Sequence, residues 1–436
     1  MRFVVEPSAI HSGTVSVPGD KSISHRALML GAVANGDTRI SGFLAGEDCL
    51  ATMNALRALG VAIESADDNV TVHGVGRRGL SRPMSPLDLG NSGTAMRLFA
   101  GLLAGQTFSS ELIGDESLSQ RPMSRVIKPL TMMGATIESN DGLPPLRVSG
   151  GQSLGGLVYR LPVASAQVKS AILLAGLYAD GDVAVIEPAV TRDHTERMLR
   201  TMGVQLNQGE TQIMMRGGQD LLAADIEVPA DLSSAAFLIL AGTIAGSGEL
   251  TIPGVGVNPT RTGVIDILND MGADIGISNV RLAGEEPVAD LVVRPAQLHG
   301  IDVDPVKVSL AIDEFPVLFV AAACAKGKTS FSGIGELRVK ESDRIAAMAD
   351  GLRALSVPVD ESDDGAVVHG GKLYGGTVES QGDHRIAMSF AIAGLVAEWA
   401  VTIDDTAAVA TSFPGFTECL RSMGVAISEE DGATSA

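Results

Sequence analysis

One short pattern recurs along the chain and limits what it can fold into. A helix-like stretch ends in a Met/Leu-Gly turn and passes at once into a short strand. It reads ALRALGVAIE (55–64), PLTMMGATIE (129–138), MLRTMGVQLN (198–207), ILNDMGADIG (267–276), GLRALSVPVD (351–360) and CLRSMGVAIS (419–428). The turn glycine falls at 60, 134, 203, 272 and 424, with Ser356 in the fifth copy, and the first four lie 74, 69 and 69 residues apart. Glycine at that point predicts a helix C-terminus closed by a residue at positive φ. Between the copies run helical stretches that are apolar nearly all round, such as GTAMRLFAGLLAGQTF and SAAFLILAGTIAGSGELTI. Helices of that kind are buried on most sides.

The predicted architecture is α/β: six repeated βαβαββ-type units, three in each of two domains. The segments VPGDKSISHRALML (17–30) and VPADLSSAAFLIL (228–240) match each other especially well. They read as the two crossings of a hinge, near Pro18 and Pro229. One domain is then 1–19 plus 229–436, completed by the N-terminal strand, and the other is 20–228.

Thirty-two Lys and Arg against 52 Asp and Glu give a formal charge of −20 over 436 residues, which argues against a nucleic-acid or anionic-membrane surface. An anionic ligand then needs a locally concentrated set of cations. Cys49, Cys324 and Cys419 stand at unrelated spacings and show no metal pattern. The N-terminus lacks the charged-then-apolar run of a secretory signal, and Ala235–Gly246 is too short to span a membrane. The expectation is a cytoplasmic protein, taken as a monomer.

The unusual residues gather at the starts of the apolar helices and in the loops before the others. In VPGDKSISHR, Ser22 or Ser24 is placed to cap a helix, and Lys21, His25 and Arg26 crowd its first turn. Cations there oppose the helix dipole, so the stretch is either an anion site or an ordinary capped helix with solvated charges. Other helix starts carry GNSGT (90–94), SAQVKS (165–170), ADLSS (230–234), DEFP (313–316) and GDHR (382–385). The loops carry SLSQRPMSR (117–125), TRDHTER (191–197), NPTR (258–261), RVKESDR (338–344) and TSFPGF (411–416). If the two halves face each other, Lys21, Arg26, Arg121, Arg192, Lys340, Arg344 and Arg385 line one cleft suited to phosphates and carboxylates. Asp313 is either a helix cap or an acid–base group, and Glu341 either a salt-bridge partner of Lys340 and Arg344 or a second such group. AKGKTS (325–330) lacks the first glycine of a phosphate loop, since position 322 is Ala322, and GVGVNP (254–259) lacks the third glycine of a dinucleotide motif. His25 and His384 lack metal spacing and read as capping or core partners. There is no GxSxG and no Cys/His pairing for a covalent nucleophile.

The motifs GDKSISHRALMLGA, LGNSGTAMR (89–97), RPMSR (121–125), ELRVKESDR (336–344) and DHRIAMSFA (383–391), in that order, resemble the 5-enolpyruvylshikimate-3-phosphate synthase family over essentially the whole chain. The resemblance implies a two-domain inside-out α/β barrel; domain closure on shikimate 3-phosphate is expected because the cleft residues come from both sides of the hinges at Pro18 and Pro229. It implies transfer of the enolpyruvyl group of phosphoenolpyruvate to the 5-hydroxyl of shikimate 3-phosphate, releasing phosphate, with no metal or organic cofactor. By motif, Lys21, Ser22 and Arg26 would hold shikimate 3-phosphate, with Lys21 also reaching phosphoenolpyruvate and counted as catalytic. Gly93 of NSGT and Arg121 would bind phosphoenolpyruvate, with Asn91 and Thr94 beside Gly93 as further substrate-binding residues. Ser165, Ala166 and Gln167 of SAQ would bind the shikimate phosphate, Gln167 meeting both substrates. Asp313 would accept the proton of the attacking hydroxyl, Glu341 would protonate the methylene carbon with Lys340 beside it, and Arg344 and Arg385 would clamp phosphoenolpyruvate. SAQ replaces two serines before the Gln, Glu336 replaces an Asn, Thr411-Ser412 stand where a Lys precedes TFP, and TRDHTER replaces a tyrosine-containing loop. These departures resemble the second class of the family, and by that resemblance Arg192 would be a shikimate-phosphate contact. Glyphosate is a candidate inhibitor, because Gly93 is compatible with its binding, and the lysine at position 411 does not carry over. The alternatives are the sister transferase acting on UDP-N-acetylglucosamine, whose mobile loop carries a reactive Cys that SLSQRPMSR lacks, and a non-catalytic repeat protein binding phosphorylated metabolites. The latter need keep neither Asp313 nor Glu341.

Overall fold

The apolar helices form where the sequence puts them, because a stretch with no polar face can only be stable inside. They are Lys21–Ala32, Gly93–Ala104 and Ala166–Gly176, then Leu232–Ala245, Phe315–Cys324 and His384–Gly394. In the computed structural model, which describes residues 1–431, they supply much of two separate hydrophobic cores. One core runs from Ile23 to Val228; the other combines Phe3–Val17 with Leu232–Ile427. Accordingly the chain divides into a first unit, Gly19–Val228 with Leu282–Glu286, and a second unit, Met1–Pro18 with Pro229–Arg281 and Pro287–Ala436. The five-residue excursion at Leu282–Glu286 is the turn of a hairpin whose strands are Asp274–Ala283 and Glu286–Arg294. Nothing in the sequence marks it.

Each unit contains three small sheets, all mixed except the second unit's Lys328–Ser332, Gly365–His369 and Val359–Ser362, which pair antiparallel. In the first unit one arrangement occurs three times: a strand pairs parallel with the strand that follows the buried helix, and a hairpin adds two antiparallel strands. An example is Gly155–Arg160 beside Asp180–Ile186, then Gln212–Arg216 and Leu206–Gln208. In the second unit the N-terminal strand Arg2–Val5 lies antiparallel between Val401–Asp404 and Ile427–Glu430, which carries the chain's first residues into the sheet of its last segment.

The predicted Gly turns close alike. After each partly exposed helix the glycine N–H meets the carbonyl three residues back, and the next N–H reaches five back, as in Gly60 to Arg57 and Val61 to Leu56. Gly60, Gly134, Gly203, Gly272 and Gly424 stand at φ between 88° and 106°, and Ser356 takes the same role at φ 68°. A side chain there costs about 1–2 kcal/mol, partly offset in a Gly variant by a freer unfolded chain. Ser356→Gly is therefore expected to raise stability by about 0.5–1 kcal/mol, read as a higher thermal midpoint; a lower midpoint would contradict the strain.

Candidate active site

The first unit's polar groups begin at Asp20. Its carboxylate caps helix Lys21–Ala32 by accepting the Ile23 N–H at 2.8 Å, so neither Ser22 nor Ser24 is the cap. An aspartate fits better, because its charge also faces the positive helix end. Lys21 Nζ lies 2.5 Å from Asp48 Oδ2, which offsets one of the cations crowded there. His25 and Arg26 turn inward. The Arg26 guanidinium donates to the Thr195 and Ser170 hydroxyls at 2.7 and 2.9 Å and to the Ser22 carbonyl at 2.9 Å. Arg192 reaches the Ser22 hydroxyl at 3.4 Å. Ser22, 170 residues away in sequence, thus joins Arg26 and Arg192 at one helix head.

His25 is fully buried, with Nδ1 2.8 Å from Thr52 Oγ1. Burial, then Lys21 and Arg26, hold its pKa well below the ordinary 6.5. The unfolded chain takes up a proton near pH 6.5 while the folded one does not, so this histidine makes stability fall as pH drops below 6.5, by up to about 1.4 kcal/mol per pH unit. Urea titrations at pH 7 and 5.5 should show a smaller acid loss in His25→Asn than in the unaltered protein. Equal losses would mean that His25 protonates freely in the fold.

A second group surrounds the head of helix Gly93–Ala104, capped by Ser92. Arg121 donates to the Asn91 carbonyl at 3.1 Å, the Asn91 side-chain oxygen at 2.5 Å and Ser117 at 3.0 Å, and Asn91 donates to Asp115 at 2.7 Å. Arg97, one turn along, donates to the Gly93 carbonyl at 3.2 Å and to Gln167 Oε1 at 2.8 Å, while Gln167 Nε2 donates to Thr94 at 2.9 Å. Ser165 caps the next helix and Ala166 opens it. Asn91, Gly93, Thr94, Arg121 and Gln167 thus share one cluster. Arg97 belongs to it too, and the spacing i, i+4 from Gly93 on a helix was the signal for it.

In the second unit, Arg344 is nearly sealed and binds Asp383 Oδ2 at 2.7 Å through Nε and Glu341 Oε2 at 2.5 Å through Nη2. Its Nη1 lies 3.7 Å from Asp313 Oδ1, and Lys340 Nζ lies 3.2 Å from the same oxygen. Burial alone would lower the Arg344 pKa, but Asp383 and Glu341 raise it, so the cation is secure. Arg385 donates to the Asp313 carbonyl at 2.8 Å and lies 3.5 Å from Glu314 Oε1. Burial lowers the Arg385 pKa. Glu314 accepts the Ser233 hydroxyl, and Arg261 Nη2 lies 2.7 Å from that hydroxyl and 3.6 Å from both Asp231 and Glu314. Asp313, Lys340, Glu341, Arg344 and Arg385, the candidates from the sequence, meet here. Asp383, Glu314 and Arg261 join them, from the motifs GDHR, DEFP and NPTR, with no signal of their own in the sequence. A carboxylate two residues before an Arg, as Asp383, or directly after an Asp, as Glu314, is silent until its partner 39 to 81 residues away is known.

A family model described as EPSP synthase (3-phosphoshikimate 1-carboxyvinyltransferase) matches residues 5–420. The chain is 57% identical over 434 residues to the 3-phosphoshikimate 1-carboxyvinyltransferase of Alkalilimnicola ehrlichii, covering 99% of this chain and 97% of that one. It is 55% identical over 429 residues to the protein of the same name from Nitrosococcus oceani, covering 98% and 97%. Among solved structures, EPSP synthase from Acinetobacter baumannii superposes with TM-score 0.87 at 50% identity, covering 98% of this chain and all of that one. The enolpyruvyl transferase NikO from Streptomyces tendae, at 18% identity over 98% of each chain, has TM-score 0.80, a likeness of fold.

Proposed function

Since this chain belongs to the EPSP synthase family and carries out its 3-phosphoshikimate 1-carboxyvinyltransferase reaction, we propose which of its residues do the work. Phosphoenolpyruvate gives its enolpyruvyl group to the 5-hydroxyl of shikimate 3-phosphate, and phosphate leaves. Lys21, Ser22, Arg26, Ser165, Ala166, Gln167 and Arg192 of the first unit hold shikimate 3-phosphate. Asn91, Gly93, Thr94 and Arg121, with Lys21 and Gln167, serve phosphoenolpyruvate, as do Arg344 and Arg385 of the second unit. Asp313 and Glu341 move the protons, with Lys340 between them in charge.

The chemistry needs one group to give a proton and one to take it. Glu341 delivers a proton to the methylene carbon, the adjoining carbon turns cationic, and the 5-hydroxyl oxygen adds to it while its proton passes to Asp313. The tetrahedral adduct then loses phosphate and one methyl proton, which restores the double bond. Fixed cations stabilise the departing phosphate without rearranging at the moment of reaction.

One observation carries this reading. A single guanidinium, Arg344, touches both carboxylates, Nη1 at 3.7 Å from Asp313 and Nη2 at 2.5 Å from Glu341, although they lie 28 positions apart. That contact holds an acid and a base in fixed relation while giving each a different set of neighbours. The reading includes a cytoplasmic monomer, with glyphosate as a candidate inhibitor at Gly93. No helix among the described residues is long and apolar enough to cross a membrane. The UDP-N-acetylglucosamine transferase is not favoured, since relatives more than 50% identical over nearly the whole chain bear the other name. Release of phosphate only when both shikimate 3-phosphate and phosphoenolpyruvate are present tests the function; release with UDP-N-acetylglucosamine in place of the shikimate ester would overturn it.

A further inference from the structure

Lys169 is the one buried ammonium in the first unit that the proposed reaction does not use. It lies within the apolar helix Ala166–Gly176 with its side chain 1% exposed. Its Nζ meets three groups of one short segment: Glu187 Oε2 at 2.9 Å, the Thr191 backbone carbonyl at 3.3 Å and Glu196 Oε1 at 2.8 Å. Residues 187–193 join strand Asp180–Ile186 to helix His194–Thr201 and lie outside both; backbone bonds hold the two ends, Glu187 N–H to the Thr211 carbonyl at 2.8 Å and Arg197 N–H to the Asp193 carbonyl at 3.0 Å. Glu187 starts the segment and Glu196 lies in the first turn of the helix that ends it. The Thr191 carbonyl belongs to the peptide that leads into Arg192. The Thr191 hydroxyl in turn donates to Glu187, so the lysine and its partners close a ring around that peptide.

We propose that Lys169 is the positioning residue for Arg192: its ammonium pins the peptide from which the Arg192 side chain springs, and so sets the affinity for the phosphate of shikimate 3-phosphate. The inference rests on Arg192 binding that substrate. Between those two ends, three ties from one atom fasten the segment to the apolar helix. A loop of irregular backbone keeps its shape only through contacts made by side chains. Burial by itself would discharge the lysine, but Glu196 and Glu187 outweigh it and raise its pKa, so the ammonium stays charged. Burial pushes the Glu187 carboxyl up, consistent with two acids sharing one cation. The same helix offers Ser165 and Gln167 at its head, so Lys169 ties the Arg192 segment to the element that carries those two residues.

The test is a double-mutant cycle on the full chain, reading phosphate release with each substrate varied in turn. Arg192→Met should raise the KM for shikimate 3-phosphate tenfold or more. Lys169→Met should raise the same KM by a comparable factor, leave the KM for phosphoenolpyruvate within about twofold, and add nothing once Arg192 is gone. An unchanged KM for shikimate 3-phosphate in Lys169→Met, an equal rise for both substrates, or multiplying effects in the double variant would each overturn the inference. If Arg192→Met leaves that KM unchanged, the assignment of Arg192 itself fails, and the role of Lys169 falls with it. Should Lys169→Met not fold, Glu196→Gln keeps the lysine and removes one tie; a severalfold rise in the KM for shikimate 3-phosphate alone supports the inference, and no rise refutes it.

Discussion

Asp313→Asn is expected to lower kcat about a thousandfold while the KM for shikimate 3-phosphate stays within a few fold. The substitution keeps the size of the side chain and its place beside Lys340, 3.2 Å away, but removes the oxygen basicity that takes the hydroxyl proton. General-base contributions of about 10²–10⁴ set the scale. The backbone carbonyl of residue 313, which accepts from Arg385, is untouched, so the guanidinium beside it should hold its position. Steady-state phosphate release measures kcat and KM together, and titration with shikimate 3-phosphate alone checks that binding survives. Unchanged turnover would remove Asp313 from the proton path.

Gly93→Ala should raise the KM for phosphoenolpyruvate tenfold or more without loss of stability. Gly93 opens helix Gly93–Ala104, where Ala is a better helix former by up to about 1 kcal/mol. A methyl on it would stand 2.8 Å from Arg97 Nη1 and 3.3 Å from Arg121 Nη1. Both neighbours are ends of flexible side chains, so they can move at small cost to the fold. The cost falls on what they hold: Arg97 would give up its bonds to the Gly93 carbonyl and Gln167, and Arg121 its approach to Asn91. The KM for shikimate 3-phosphate should change much less. A thermal midpoint at or above that of the unaltered chain, with phosphoenolpyruvate affinity lost, would separate the site effect from a folding defect; an unaltered KM would show that the two guanidinium groups do not serve that substrate.

The legible parts of the fold were those set by local chemistry. A residue at positive φ after a helix strongly favours glycine, so the turns at Gly60, Gly134, Gly203, Gly272 and Gly424 could be read directly. Ser356, at φ 68°, was legible only by alignment with the other copies. The α/β character followed from apolar helices alternating with short strands. The hairpin turn Leu282–Glu286 was not legible, because its attachment rests on long-range partners: Glu286 with His194 at 2.7 Å and Glu285 with Arg197 and Arg200. Within the site, Glu341 and Arg344 stand three apart in sequence, Glu341 in the bend just before the helix that Arg344 opens, and declare themselves. Asp48 and Lys169 do not. Lys169 sits in SAQVKSAILLAG, where its charge looks like an interruption of an apolar face, and its two acids follow 18 and 27 positions later. The helix cap at Asp20 was missed because two serines nearby offered the same hydrogen bond; the carboxylate wins by adding charge to it.

Turnover in heavy water tests most directly the claim that an acid protonates the methylene carbon before the hydroxyl adds. If Glu341 delivers a solvent-derived proton there, the transient methyl group carries deuterium, and some survives in the enolpyruvyl product when another hydrogen is lost. Mass spectrometry of the product should then show deuterium on the vinyl carbon. A product free of deuterium at that carbon, formed at normal rate, would contradict the account.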